Sequence, residues 1–272
     1  MKTVVVLSAL SLTIASSQAA LIAYEGFDYA TANYATGLEG KGTGTDFAGA
    51  WADLSGSNVR NGVYADSLTV SSDIALPSTG NHARGQLANA GNGIARLLSS
   101  TQGTDGTSVW MSFRTQNNNL SAVEEFAPIF TTKSGNRSTM FGATRSAAGQ
   151  DASDGQFDLV HINGSVSSDI AARDSNNHFL VAKFDFGAAD ADTITVWWDP
   201  TSATDFGSTG NAQISVTDAS FDGIGFTALN ATLRVDEIYL GTTLVDVTAV
   251  PEPSSAALLG LGGIALILRR RK

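Results

Sequence analysis

Apolar and polar residues alternate with a period of two over much of this chain. In Ser108–Arg114, Val109, Met111 and Phe113 share one face while Trp110, Ser112 and Arg114 share the other. From His178 to Phe186, Leu180, Ala182, Phe184 and Phe186 form an apolar face, with Lys183 and Asp185 opposite. After a Gly187–Ala191 turn, Ile194, Val196 and Trp198 stand against Thr195 and Trp197, so the two segments predict a β-hairpin. Strands are also predicted over Leu21–Phe27, Ser67–Ser71, Ile129–Thr132, Ser138–Ala143, Gln156–Ile162, Gln213–Thr217, Ile224–Ala228 and Thr232–Leu240, separated by Gly, Asn, Asp and Ser turns. Such alternation predicts antiparallel sheets with one buried face each. Only Leu87–Leu98 departs from it, and Gly91 and Gly93 interrupt that stretch. With no repeat, heptad or long linker, the body reads as one all-β domain.

The two ends follow another pattern. Lys2, an apolar run from Val4 to Ile14 and Ser17-Gln18-Ala19 have the order of a secretory signal peptide, predicted over 1–19. At the other end Pro251-Glu252-Pro253 precedes an apolar run from Ser254 to Leu268, then Arg269-Arg270-Arg271-Lys272. As a helix that run reaches about 22 Å, short of the ~30 Å hydrocarbon core, and snorkelling arginines make up the difference. Basic residues on one flank place that flank in the cytosol. Motif, greasy segment and basic cluster over 250–272 resemble the PEP-CTERM sorting signal. The resemblance implies a membrane-anchored precursor in a Gram-negative, exopolysaccharide-producing bacterium. It also implies signal peptidase at the front, cleavage near Pro251-Glu252-Pro253 by an exosortase, and a destination at the cell surface or in the extracellular matrix.

Composition narrows what the body, 20–249, can be. It has no cysteine, so packing rather than disulfides holds it in an oxidising compartment. Five of the 16 basic residues and one of the 26 acidic ones lie in the end segments, leaving 11 against 25 and a body near −14. That charge repels nucleic acid and excludes it as an expected partner.

Tyr24-Glu-Gly-Phe-Asp28, the Phe179–Pro200 hairpin ending Val-Trp-Trp-Asp-Pro, and Phe221-Asp-Gly-Ile-Gly-Phe226 followed by Val235–Thr243 resemble the concanavalin A-like, laminin-G-type jelly rolls. The implied fold is an antiparallel two-sheet jelly-roll sandwich, with the first strand beside the last: Ala23–Phe27 along Leu233–Leu240.

Some proteins of that fold class are glycosidases, which set two carboxylates across the scissile bond. The Glu-x-Asp-x-Glu strand pattern that would do so is missing. Glu124-Glu125 and Asp236-Glu237 are adjacent, which in a regular strand sends their side chains to opposite faces. Asp236 falls in phase with Ile238 and Leu240 and reads as a buried structural carboxylate bonded to the first strand. His82, His161 and His178 are scattered, which leaves a zinc site without ligands. Calcium could sit at Asp151, Asp154 and Asp158, or at Asp185, Asp190 and Asp192, although neither loop carries the full calcium-loop pattern. Trp110, Trp197 and Tyr239 lie out of phase with the apolar faces of their strands and are the sugar-stacking candidates, unless loops cover that second face. The expected function is a non-catalytic structural or glycan-binding component of the exopolysaccharide layer. The alternative is a secreted glycoside hydrolase or lyase with an atypical site.

Overall fold

The computed structural model describes residues 21–32, 37–42, 46–54, 61–78, 80–85, 93–117, 126–143, 155–162, 166–207, 210–228 and 232–249. The end segments fall outside these, as do Asp151, Asp154 and Glu124-Glu125. The strands run in chain order as β1 (Leu21–Glu25), β2 (Ala52–Asp53), β3 (Asn61–Ala65), β4 (Asn81–Gly85), β5 (Ile94–Gln102), β6 (Ser108–Asn117), β7 (Phe126–Lys133) and β8 (Asn136–Ala143). They continue as β9 (Gln156–His161), β10 (Val166–Ala172), β11 (Asn177–Asp185), β12 (Ala191–Trp198), β13 (Ala212–Thr217), β14 (Phe221–Ala228) and β15 (Leu233–Gly241), followed by a one-turn helix α1 (Leu244–Val247).

They form two antiparallel sheets packed as a sandwich. One has the order β13-β12-β11-β6-β15-β4-β3, with β1 also on β15; the other has the order β10-β9-β8-β7-β14-β5-β2. The predicted hairpin is β11–β12, pairing Leu180 with Trp198 through to Asp185 with Thr193. The first and last strands pair as expected, Ala23 with Leu240 and Glu25 with Ile238.

Alternate side chains of both sheets meet in one core. Phe113 meets Phe141 with ring centroids 5.8 Å apart, Phe141 meets Phe184 edge-on at 6.2 Å, and Phe184 meets Phe221 at 5.1 Å, a chain of rings that crosses between the sheets. In Phe221–Phe226 the phenylalanines and Ile224 face this core, while Gly223 and Gly225 face outward. A Cβ on Gly225 would fall 2.5 Å from Cζ of Phe130, so the glycine spacing serves a ring lying flat on β14.

Glu25 and Arg96 point inward from opposite sheets and join at 2.7 Å, with only 3% and 4% of their side-chain surfaces exposed. The same Glu25 oxygen accepts from the Tyr29 hydroxyl at 2.6 Å and from the Trp51 indole N–H at 3.0 Å, and the other accepts the Phe27 N–H at 2.9 Å. Arg96 donates from Nε to the Gly49 carbonyl and lies 4.0 Å over the Phe47 ring. Every charge is thus paired and hydrogen-bonded, the condition for burying an ion pair. This role accounts for Glu25 within the Tyr24–Asp28 motif.

Three expectations are corrected. Ser67–Ser71 is not a strand: it lies in an irregular segment, 66–78, between β3 and β4. Its backbone groups are taken by side chains, the Leu68 N–H by Asp236 and the Leu68 carbonyl by Arg114. Within Leu87–Leu98, residues from Ile94 onward are strand β5. The phase of Asp236 is also different. Asp236 pairs with Arg114 and Tyr239 with Ser112, so β15 carries one extra residue in a β-bulge, with Glu237 at φ 51. Val235 and Ile238 both enter the core, and Asp236 turns to the outer face with Arg114. Its partners there are segment 66–78, not the first strand.

Two measurements check this account. Arg96→Ala, which strands a buried carboxylate, lowers unfolding free energy in urea by about 3–5 kcal/mol, while Glu25→Leu/Arg96→Met recovers much of the loss. Gly225→Ala costs about 1–3 kcal/mol through overpacking against Phe130.

Candidate functional site

The outer face of the first sheet carries the side chains that fall out of phase with the core. Segment 66–78 and α1 cover part of it. Ile74, Phe179, Val181, Trp197 and Val247 are buried there as a second, small cluster, with Trp110, Phe206 and Tyr239 packed against it. Trp110 and Trp197 stack with centroids 5.5 Å apart, and Phe206 closes edge-on over both, at 6.2 and 5.3 Å. Trp197 is 5% exposed, so it is the buried member of the cluster and not an open platform. Trp110 is half-buried, with the Lys183 ammonium 5.5 Å from its ring centroid. Tyr239 stacks on Tyr24 at 4.6 Å. The three sequence-predicted aromatics share one face but do not form one surface.

The bulge places Asp236 and Glu237 on that same face. Asp236 accepts from the N–H groups of Leu68 and Glu237, both at 3.0 Å, and from Ser78 Oγ at 3.2 Å. Burial pushes its carboxyl up to about 7, with the neighbouring Glu237 charge adding to the shift against those hydrogen bonds. One Glu237 oxygen accepts from the Tyr24 and Tyr239 hydroxyls, each at 2.9 Å. Burial, then Glu237, raises both tyrosines well above the ordinary phenol range, so neither is a ready base. Arg114 donates to the Leu68 and Leu76 carbonyls. The cluster binds the covering segment to the sheet.

The open site lies at the far end of the hairpin. Where β12 leaves the sheet, Asp199 turns the chain at φ 47. Ser202 and Asp205 then make a capping box around a short 3-10 turn, Ala203–Asp205. Asp205 accepts the N–H groups of Thr201 at 2.6 Å and Ser202 at 2.9 Å, which hold its carboxyl below the usual range. Gly210 brings the chain back at φ 58, where a Cβ would lie 2.4 Å from the Val196 carbonyl oxygen. Asn211 accepts the Trp198 N–H at 2.8 Å. Trp197, Trp198, Asp199, Asp205 and Asn211 wall a cavity of about 390 Å³, within the usual size of small-ligand sites. A second hollow of about 380 Å³, between Leu54, Ala95 and Leu97 on the other sheet, is mainly apolar.

Behind the cavity stands His178. Its Nδ1 is 2.7 Å from Asp199 Oδ2 and its Nε2 is 2.7 Å from Asp174 Oδ1. The Trp198 ring centroid lies 4.2 Å from that of the imidazole and 4.7 Å from that of Phe157. Trp198, predicted to face the core, packs on it with one side and lines the cavity as well. Period-two reading found Trp197. Nothing local in the sequence linked Asp174, His178 and Asp199, though the Trp-Trp-Asp-Pro run of the hairpin marked the place.

Among the described residues no group of three His, Cys, Asp or Glu side chains could hold a metal ion. Asp185 accepts from Ser108 Oγ and pairs with Lys183, both at 2.6 Å. Asp192 accepts the N–H groups of Gly187 and Ala219. Both are occupied in holding turns. Asp158 is fully buried in β9, and Asp151, Asp154 and the Asp190 side chain lie outside the described residues. No described helix is long and apolar enough to cross a membrane, and Ser254–Leu268 lies outside the described residues.

A raised carboxyl binds its proton more tightly folded than unfolded, so Asp236 contributes stability below about pH 3.8 that is lost as pH rises through about 7. Wild-type denaturation midpoints followed from pH 4 to 8.5 carry this decline, and in Asp236→Asn that component is missing.

Comparison with known proteins adds little for the body. No curated protein matches the chain. Among solved structures, a β-1,3-glucanase from Mycobacterium marinum is 12% identical over 81% of this chain and 98% of its own, with a TM-score of 0.41. A carbohydrate esterase from the Shiga toxin-encoding bacteriophage phi24B is 12% identical over 83% and 99%, with a TM-score of 0.40. An endo-β-1,4-glucuronan lyase from Trichoderma reesei is 11% identical over 80% and 89%, with a TM-score of 0.31. Similarities this low carry no argument about function. The tail is different: residues 249–272 match the PEP-CTERM protein-sorting motif, which supports export through an exosortase system, and the chain carries that sorting signal at its C-terminus.

Proposed function

We propose that this protein is exported to the cell surface or extracellular matrix, where its body binds polysaccharide of the exopolysaccharide layer without catalysis. The observation that carries the reading is the sorting motif at 249–272. In this reading signal peptidase removes 1–19, the apolar tail holds a transient membrane-anchored precursor, and an exosortase cuts near Pro251-Glu252-Pro253. The cavity supports the binding half. A sugar ring has apolar C–H faces and a rim of hydroxyls, and Trp198 offers an indole beside the carboxylates of Asp199 and Asp205 and the amide of Asn211.

The competing reading is a hydrolase or lyase, and the observation that favours it is Asp236, whose carboxyl is raised to about 7 beside Glu237 on the same face. Against it, Asp236 already accepts three hydrogen bonds, two of which tie down segment 66–78. A catalytic carboxyl must instead reach the substrate.

In a pull-down with host exopolysaccharide, wild-type protein is retained and Trp198→Ala is retained roughly tenfold less, the loss of about 1.4 kcal/mol of contact. Equal retention of the two sinks the assignment of the cavity. No reducing ends or unsaturated products accumulate; their release by wild type but not Asp236→Asn would establish the enzyme instead. The mass of the mature protein lacks Arg269, Arg270, Arg271 and Lys272.

A further inference from the structure

We infer that His178 is the positioning residue of the cavity: as an imidazolium it clasps Asp199 on the cavity wall to Asp174 on the turn before β11, and losing its proton loosens that wall. The ligand-binding consequence rests on the function proposed above; the clasp itself rests on geometry alone.

A neutral imidazole has one N–H donor, and an ionised carboxylate only accepts. Both His178 nitrogens lie 2.7 Å from a carboxylate oxygen. Both contacts are hydrogen bonds only when the ring carries two protons and one positive charge. Asp174 is held ionised: burial opposes its charge, but hydrogen bonds from the Asn176 N–H and from His178 outweigh it and bring the carboxyl below its usual range. Asp199 is fixed at its other oxygen by the Phe179 N–H at 2.8 Å. Burial disfavours the charged imidazole, yet the hydrogen bonds to Asp199 and Asp174 outweigh it and the ring titrates above its ordinary value.

The surroundings leave little else to titrate. Around His178, β6 presents Thr115 and Asn117, while β7 and β9 present Phe126 and Phe157. Arg173 is the cation of this group, and Asp174 and Asp199 are its acidic residues. His178 is itself buried, whereas the Asp174 and Asp199 side chains are 45% and 43% exposed. Deprotonation therefore leaves at least one carboxylate without its donor and free to turn to water. The indole of Trp198, packed at a tilt of 35° against the same ring, loses its charged partner at the same step. Two walls of one cavity thus answer to one proton. Stability from the clasp is full below the unfolded value of about 6.5 and is lost as pH rises through the higher folded value.

The test uses the full chain. Histidine ring resonances followed by NMR give His178 a midpoint above 6.5, and tryptophan fluorescence changes at the same midpoint. Asp199→Asn moves the midpoint down, and His178→Phe, which keeps an aromatic ring against Trp198, abolishes the fluorescence step. Polysaccharide retention falls roughly fivefold across the midpoint in wild type and becomes insensitive to pH in His178→Phe. A His178 midpoint at or below 6.5, or fluorescence that does not follow it, overturns the clasp. Retention that is unchanged across the midpoint overturns its positioning role. If no polysaccharide is retained at any pH, the binding reading fails by itself, and the ring titration still decides on the clasp.

Discussion

The ion pair between Glu25 and Arg96 is the constraint around which one end of the sandwich is organised. Two sheets facing each other through hydrocarbon can slide or rotate with little change in buried area, because the hydrophobic effect has no direction. A carboxylate on β1 and a guanidinium on β5 admit one arrangement, and Tyr29 and Trp51 complete the coordination of the carboxylate. The segment after β1 is folded back over the core by the same group, with Phe27 and Trp51 stacked 5.8 Å apart beside Phe226. Burying charge is costly, and here the paired charges tie β1 to β5 at one fixed point between the sheets.

The second face of the first sheet follows from a different balance. Trp110, Trp197 and Tyr239 place large apolar rings on this face, and the chain supplies segment 66–78 and α1 to cover much of it. The covering elements are anchored by polar bonds to the sheet: Asp236 and Arg114 hold the segment, and Ser112 donates to the Val247 carbonyl at 2.6 Å. An aromatic residue out of phase with the core is therefore weak evidence for a ligand until its cover is known. The cavity beside Trp198 lies past the end of the hairpin, where the sheet stops and a turn of carboxylates begins.

What the sequence revealed was whatever a strand shows locally. The β11–β12 hairpin, the alternation in β6 and the pairing of first with last strand were all legible, since each follows from period-two burial or from the recognised motifs. Strands β2, β3, β4, β5 and β10 were not. Asn61-Gly-Val-Tyr-Ala65 and Asn81-His-Ala-Arg-Gly85 hold few large apolar residues, and they are strands because each lies beside the other and β4 lies beside β15. The bulge at Glu237 could not be read either: one extra residue reverses the phase of all that follows, and no glycine marks it. The His178 clasp draws on Asp174, four residues back, and Asp199, across the hairpin, so only the folded chain brings its charges together.

The position of β15 has a mechanical consequence. It lies inside its sheet, with β6 along one side and β4 and β1 sharing the other, and it leads directly to the end of the chain that carries the sorting motif. Tension applied through that end first meets the bond from the Ala249 N–H to the Ile74 carbonyl and the Thr243–Asp246 cap, and then the ladders on both flanks of β15. Pulled from that end, the body bears load on an interior strand gripped from two sides, where many bonds share the force, instead of on an edge that peels away one bond at a time.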